Sequence, residues 1–321
     1  MAYTSFPVTA AGISHTRQGK GCEDISLHYL PYEDTVKSLL SFTVVMDGYG
    51  DENYFRSAQG ASFAAREGIL TFADWLGPSK ETAEASLRGL VEHILERWQG
   101  KIEKDYWARP VRAEKLVKVD KYYRKRYAKG EERYVPYGST LIAATISGAY
   151  WFGIHIGDGR WSVLYEDGTF DQPVPWDERC YLNITSSLCD EDTAERARIY
   201  LAKTAEKPPA GIFSCSDGVD NNYPAAHNEA YLYALYSGIT LSFAENGFAP
   251  ACGQLEALAR FFATHGKGDD TSIAGIIDRA AARRLALLLR EAAGPQPDHP
   301  ERPNTKKTFF AADALSGGHG P

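Results

Sequence analysis

The sequence predicts an α+β fold in which two mainly antiparallel β-sheets form a central sandwich and α-helices flank it. Two observations support this prediction. Strand-like runs occur as neighbouring pairs around short turns, as in residues 140–156, and such hairpins pair antiparallel. Helical stretches with a single apolar stripe accompany these runs, and a stripe of this kind packs against another layer of the protein.

The first half of the chain contains short apolar runs followed by helical patterns. Residues 39–46 are apolar and β-branched and stop at Asp47-Gly48, which is typical of a buried strand that enters a turn. Residues 57–75 are rich in alanine, and residues 81–99 carry apolar side chains at helical spacing from Leu87 onward. Both segments are therefore predicted to be helices that pack on a sheet.

The second half is dominated by hairpins. After the pair of strands in 140–156, residues 160–165 and 169–174 form a second predicted hairpin, with Asp167-Gly168 at its turn. Residues 190–205 are predicted to be helical because acidic residues occupy the first turn, where the helix dipole favours anions. The other predicted elements are strands at 8–14, 25–29, 211–215 and 271–277 and helices at 251–264 and 278–293.

The chain is predicted to contain one large domain, residues 1–293, because no internal linker is visible in it. Residues 101–133 form a helical excursion with twelve Lys or Arg and six Asp or Glu. This excursion is either a solvated face or a basic surface that recruits an acidic or phosphorylated partner. Residues 219–250 are irregular and aromatic and are predicted to be a mobile flap. Residues 294–321 hold five prolines and four glycines, which predicts a disordered tail.

Composition excludes several classes of protein. The net charge of −7 argues against a nucleic-acid partner, since such proteins are usually basic. The five cysteines are scattered and form no CxxC pair, so neither a zinc site nor a disulfide framework is expected. The first residues lack the pattern of a secretory signal. Together these features predict a cytoplasmic protein.

One stretch requires a check for membrane insertion. Residues 134–157 contain no charged side chain, and their length approaches that of a membrane-spanning helix. Pro136, Gly138 and Gly153 interrupt the stretch, and it divides into two β-rich runs. A buried hairpin is the better interpretation, so no membrane partner is expected.

Acidic residues recur at the ends of the predicted strands. Asp47, Asp158 and Asp217 each follow an apolar run, and Asp269 precedes one. Carboxylates at strand ends can meet at one rim of a sheet, and hard divalent cations bind such oxygen clusters. The alternative is that each Asp-Gly is only a turn, which is the interpretation of Asp167-Gly168 between its two predicted strands. The ordered set of motifs favours the cation site.

Six motifs in order carry a resemblance to a known family. They are Gly12-Ile-Ser-His15 through Gly21-Cys-Glu-Asp24, Val44-Val-Met-Asp47-Gly48-Tyr-Gly50, Gly138-Ser139-Thr140, Gly157-Asp158-Gly159-Arg160, Ser216-Asp217-Gly218-Val219-Asp220 and Asp269-Asp270-Thr271-Ser272. This series resembles the metal-dependent Ser/Thr protein phosphatase 2C family, also called PPM, and in particular its bacterial branch. The resemblance covers residues 8–278 and implies a four-layer αββα sandwich.

The resemblance also implies a set of metal ligands for two Mg²⁺ or Mn²⁺ ions and a third, weaker one. That set is Glu23, Asp24, Asp47, Gly48, Asp158, Asp217 and Asp269. Asp47 would bridge two ions with help from the Gly48 carbonyl. Asp217 and Asp269 would complete one ion, and Asp158 would share the third with Asp217. The remaining acids would hold waters on the second ion.

The implied reaction is attack on a phosphate ester by a water that two metal ions activate, with Asp47, Asp217 and Asp269 acting through that water. The phosphate-binding Arg of eukaryotic relatives has no match in register, and Arg17 and Lys20 are the nearby substitutes. Tyr49 stands where many eukaryotic members have a His, so the proton donor is unassigned between metal-bound water and His15.

The predicted function is therefore a phosphoprotein phosphatase acting on phosphoserine or phosphothreonine, with a Ser/Thr kinase or its targets as partners. Two alternatives stay open. A catalytically silent relative would bind phosphoproteins, although the intact set Asp47, Asp217 and Asp269 argues against this. A small-molecule phosphohydrolase is the other, because substrate choice is expected to lie in residues 101–133 and 219–250.

Overall fold

Two five-stranded antiparallel sheets form the centre of the computed structural model, which describes residues 3–29, 41–75, 84–147, 149–180, 184–223 and 228–293. Sheet A contains, in spatial order, β1 (Tyr3–Ala10), β10 (Thr271–Asp278), β9 (Pro209–Cys215), β6 (Arg160–Tyr165) and β7 (Phe170–Asp171). Sheet B contains β2 (Ile25–Tyr29), β3 (Ser41–Met46), β4 (Leu141–Ile146), β5 (Tyr150–Ile156) and β8 (Arg198–Lys203). Every recorded strand pairing is antiparallel.

Helices cover the outer faces of both sheets. The helices are α1 (Ile13–Arg17), α2 (Ser57–Trp75), α3 (Glu84–Ala108), α4 (Ala113–Leu116), α5 (Lys121–Ala128), α6 (Thr193–Arg196), α7 (Asp217–Asp220), α8 (Asn228–Glu245), α9 (Phe248–Thr264), α10 (Arg279–Arg284) and α11 (Ala286–Ala293). Side chains of α2 and α3 share one core with sheet B. Side chains of α8 to α11 share another with sheet A. This four-layer αββα arrangement confirms the predicted fold class.

The strand β4 shows why these sequences form buried sheets. Leu141 and Ala143 belong to the core beneath the helices, whereas Ile142 and Ala144 belong to the core between the two sheets. Successive side chains of a strand point to opposite faces, so a strand covered on both faces must be apolar throughout. The uncharged stretch 134–157 is thus largely the β4–β5 hairpin. No helix in the described ranges is long and apolar enough to cross a membrane.

The predicted flap at 219–250 is wrong for the residues that the structure describes. Within that segment α8 is a buried helix, and α9 begins at Phe248. The aromatic side chains serve the core, since Tyr236 stacks on Phe213 of β9 with ring centroids 4.3 Å apart. Burying such rings removes large apolar areas from water, so the described part of this segment from Asn228 onward belongs to the packed fold.

The predicted helix at 190–205 is also wrong. Its acidic start leads only into the single turn α6, and residues 198–203 form the edge strand β8, which pairs with β5. The tertiary pairing with β5 overrides the local helical signal. The excursion 101–133 is helical as predicted, because α3 extends into it and α4 and α5 follow. The predicted disordered tail, 294–321, lies outside the described residues.

Candidate functional site

Four carboxylates at strand ends line one open cavity of about 270 Å³. Asp47 follows β3 of sheet B, and Asp158 lies in the turn between β5 and β6. Asp217 follows β9, and Asp269 precedes β10 of sheet A. The cavity therefore lies where the ends of the two sheets meet. The spatial convergence expected from the sequence is present.

Two hydrogen bonds hold the backbone of Asp47 against Thr140, the residue directly before the neighbouring strand β4. The Asp47 N–H donates to Thr140 Oγ1 at 2.9 Å, and the Thr140 N–H donates to the Asp47 carbonyl at 2.9 Å. Gly48, which lines the cavity, forms a bridge with Ser139. The Gly138-Ser139-Thr140 motif thus fixes the position of Asp47 and Gly48 through backbone contacts.

The loop that carries Asp217 lies directly against the start of β10. A Cβ atom at Gly218 would overlap the carbonyl oxygen of Asp270, so only glycine permits this approach. The contact brings Asp217 beside Asp269. Asn221 Nδ2 donates to Asp217 Oδ2 at 2.6 Å and orients the carboxylate.

Asp158 is placed by a turn that requires glycine before it. Gly157 has φ +112°, a conformation that residues with a side chain rarely adopt. Thr185 Oγ1 donates to Asp158 Oδ2 at 2.6 Å. Thr185 also lines the cavity, and sequence reasoning missed it because the surrounding loop contains no recognisable motif.

The carboxylate of Asp270, in the last of the six motifs, contacts residues of the first motif, which runs from Gly12 to Asp24. Its carboxylate accepts from the Gly12 N–H and the Glu23 N–H, both at 2.6 Å, and lies 2.9 Å from His15 Nδ1. Glu23 Oε1 accepts from Ser57 Oγ at 2.9 Å. These contacts hold residues 12–24 against the cavity, where His15 is one of the lining residues.

The predicted ligands Glu23 and Asp24 lie behind the cavity lining. Glu23 stands against Gly48, and Asp24 is only 7% exposed. Glu23 Oε2 and Asp24 Oδ2 are buried without a hydrogen-bond partner, an arrangement that is costly for a polar atom. Both oxygens are thus available to a cation or to its waters.

Burial and mutual repulsion dominate the electrostatics of the site. Burial raises the pKa of Asp47 well above its usual value, and the charges of Asp24, Asp217 and Asp158 raise it further. Burial also raises the pKa of Asp217 to about 6 and that of Asp24 to about 8. No Lys or Arg is among the described residues that line the cavity. Arg160 pairs instead with Asp220 at 2.6 Å.

The donor set fits hard divalent cations by its chemistry, since it offers several carboxylate oxygens and two of these lack a hydrogen-bond partner. In the described ranges, however, no three His, Cys, Asp or Glu side chains already form a metal-ligand group.

The predicted phosphate contacts, and Tyr49 at the position where many eukaryotic members have a His, are placed as follows. Lys20 Nζ donates to the Gly50 carbonyl at 2.8 Å and lies at the cavity rim. Arg17 is exposed at the end of α1 and is not part of the described lining. Tyr49 OH donates to the Ser186 carbonyl at 2.8 Å, and burial raises its pKa. Its proton is therefore poorly placed for transfer to a leaving group.

Residues 11–292 match the family model described as protein phosphatase 2C. The chain belongs to the protein phosphatase 2C family. The predicted family is thereby confirmed on most of the chain. No curated protein gave a significant sequence match.

Solved structures with the phosphatase 2C fold resemble this chain despite low sequence identity. A bacterial serine phosphatase gives a TM-score of 0.54 at 15% identity over 85% of this chain and 96% of that one. Stp1, a serine/threonine phosphatase of Staphylococcus aureus, gives 0.53 at 13% identity over 87% and 96%. PppA of Pseudomonas aeruginosa, a regulatory component of T6SS, gives 0.52 at 16% over 86% and 98%. At these identities the likeness shows the fold.

The raised pKa values of the buried carboxylates lead to a prediction of how the stability of this phosphatase 2C chain depends on pH. With chelator present, we expect its thermal midpoint to fall by several degrees between pH 5 and pH 8. The pKa values of Asp217 and Asp24, about 6 and about 8, exceed the ordinary value of 3.8. The folded state therefore binds more protons than the unfolded state, and stability is lost as pH rises through the folded pKa values.

Differential scanning fluorimetry tests this prediction. Saturating Mn²⁺ is expected to reverse the trend, because cations bind deprotonated carboxylates. A midpoint that rises with pH in chelator would contradict the repulsion on which the prediction rests.

Proposed function

We propose that this chain is an active, metal-dependent phosphoprotein phosphatase that hydrolyses phosphoserine and phosphothreonine. One observation carries the proposal: four carboxylates from both sheets line one open cavity, and the described lining contains no Lys or Arg. Such a cavity repels a phosphate by itself. It becomes a phosphate site only when cations bind within it.

The ions would be Mg²⁺ or Mn²⁺, two of them tightly bound and a third more weakly. The residues that would hold them are Glu23, Asp24, Asp47, Gly48, Asp158, Asp217 and Asp269. When bound, such ions lower the pKa of water and stabilise charge on the phosphoryl group.

The chain's own residues prepare this chemistry. Thr140 fixes the backbone of Asp47 by two hydrogen bonds, and Asp270 fixes His15 at 2.9 Å. Lys20 at the rim can contact a phosphate oxygen of the incoming substrate. Cys215 is buried in β9, and burial raises its pKa to about 12, so it supplies no thiolate and no covalent nucleophile is invoked.

The substrate in this proposal is a phosphorylated protein, such as a Ser/Thr kinase or its targets in bacterial signalling, and the location is the cytoplasm. Family membership supports the reaction class. The alternative, a catalytically silent relative that only binds phosphoproteins, is less favoured, because Asp47, Asp217 and Asp269 are all present at one cavity.

Hydrolysis assays with a phosphothreonine peptide and an aryl phosphate test the proposal. We expect the protein to hydrolyse both with Mn²⁺, and we expect activity to stop with chelator and to return when Mn²⁺ is restored. Activity that survives chelation would refute metal dependence. Hydrolysis of the aryl phosphate alone would indicate a small-molecule phosphohydrolase, and peptide binding without hydrolysis would indicate a silent phosphoprotein-binding relative.

A further inference from the structure

We propose that residues 109–129, here called the basic arm, form a docking surface for an acidic segment of the phosphoprotein substrate. This inference rests on the proposed function and names the class of substrate that the site receives. The basic arm contains nine Lys or Arg and two Asp or Glu. It comprises α4, α5 and the turns that join them to α3.

The basic arm is attached to the loop that lines the catalytic cavity. In that loop, Asp51 and Tyr54 are cavity residues. The Asp120 N–H donates to Asn53 Oδ1 at 2.9 Å, and Lys118 Nζ lies 3.2 Å from Glu52 Oε1. The arm therefore begins at the edge of the cavity and is held at a fixed place beside it.

Buried contacts reinforce this attachment. The ring of Tyr127 on α5 packs edge-on against Phe55 with centroids 5.6 Å apart. Arg56 donates to the carbonyl of Arg109 and pairs with the buried Asp105 at 3.1 Å. Since the arm is held at both ends, a peptide bound to it would lie in a defined direction from the cavity.

Several charges of the basic arm have no ion-pair partner among the described residues. These are the exposed side chains of Arg112, Lys115, Lys121 and Lys125. Lys121 and Lys125 are four residues apart on α5 and so share one helix face. Unpaired charges in a region of one sign attract an oppositely charged partner and speed its association.

Exposed apolar side chains accompany these charges. Trp107, at the end of α3, is 70% exposed, Val117 is 68% exposed and Tyr122 is 56% exposed. Large apolar and aromatic side chains next to cations are enriched in protein interfaces. This mixture fits a peptide that carries acidic residues together with apolar ones.

A basic surface with aromatic residues could also bind nucleic acid, but the observations favour a protein. The whole chain has a net charge of −7, which opposes binding to a long polyphosphate backbone more than binding to a short acidic segment. The arm lies beside the cavity that, with cations bound, is the proposed site for a phosphate ester. A peptide with acidic residues next to its phosphoserine or phosphothreonine would contact the basic arm and the cavity at the same time.

The test uses the full chain with two phosphothreonine peptides that differ only in their flanks, one with Asp and Glu and one with Ser and Gly. We expect Lys121→Glu/Lys125→Glu to lower kcat/KM for the acidic peptide by about tenfold. Hydrolysis of the neutral peptide and of an aryl phosphate should stay unchanged. The difference should shrink in high salt, because salt screens exposed charges.

The matched control is Arg66→Glu/Arg283→Glu, which makes the same change in net charge at exposed residues of α2 and α10. An equal loss in both double variants would overturn the proposal, because total charge would then explain it. So would single-stranded RNA binding through Lys121 and Lys125 without any preference between the peptides.

A binding measurement separates failure of the docking proposal from failure of the proposed function. Fluorescence anisotropy of an unphosphorylated acidic peptide reports docking even if the protein hydrolyses nothing. Weaker binding by the Lys121→Glu/Lys125→Glu variant than by the control variant supports the basic arm as the docking surface. Equal binding by the two variants contradicts it.

Discussion

Replacing Asp47 with Asn is expected to lower kcat/KM for a phosphothreonine peptide by about a thousandfold in Mn²⁺. Asp47 is surrounded by Asp24, Asp158 and Asp217, so it is the central carboxylate of the proposed metal centre. Asparagine keeps the shape of the side chain and removes its charge. The loss is therefore expected in ion binding and turnover, and steady-state kinetics with a Mn²⁺ titration measures both.

The fold should survive this change. Asp47→Asn removes one of several mutually repelling buried charges, so its thermal midpoint in chelator should be at least that of the natural sequence. Asp167→Asn is the matched control, because Asp167 also precedes a glycine but lies in the β6–β7 turn, where it accepts from the Thr169 N–H at 2.9 Å. Full activity in the Asp47→Asn variant would remove the basis of the proposed function.

Substituting alanine for Gly218 is expected to lower the free energy of unfolding by about 3 kcal/mol and to weaken Mn²⁺ binding as well. The new methyl group would overlap the Asp270 carbonyl, and relief requires the loop of Asp217 to move away from β10. Asp217 would then separate from Asp269. Urea unfolding in chelator measures the first effect, and a Mn²⁺ titration of activity measures the second.

Gly100→Ala provides the comparison for this second prediction. Gly100 lies within α3, and a Cβ atom there would meet no neighbouring atom within 4 Å. Alanine is the better helix former by up to about 1 kcal/mol, so this variant should be slightly stabilised and fully active. A Gly218→Ala variant that behaved like Gly100→Ala would show that the close approach to Asp270 does not position Asp217.

The elements that could be predicted from the sequence are those whose pattern follows directly from burial. The runs that became β3, β5, β9 and β10 are short, apolar and bounded by turn residues, and the aspartates at their ends could be assigned to one rim. The sequence of helix α8 contains no comparable pattern. Its residues from Tyr236 to Ala244 are all buried, and a helix buried on every side lacks the single apolar stripe that identifies a helix.

Other features depended on contacts that no local pattern reveals. The edge strand β8 is only half-buried, and it forms because β5 offers it a partner. Thr185 reaches Asp158 from a loop that is distant in sequence. Asp270 contacts Gly12, His15 and Glu23. These residues are far from Asp270 in the sequence, so only the folded structure reveals the contacts.

The pairing of the first strand with the last has a consequence for biosynthesis. Along its whole length from Tyr3 to Ala10, β1 is bonded to β10, which ends at Asp278. A ribosome must therefore release nearly the entire domain before the earliest strand finds its partner, and such distant pairing slows folding. Asp269 precedes β10 in the chain, so the proposed ion site can form, and bound ions can stabilise the fold, only after this part of the chain has been made.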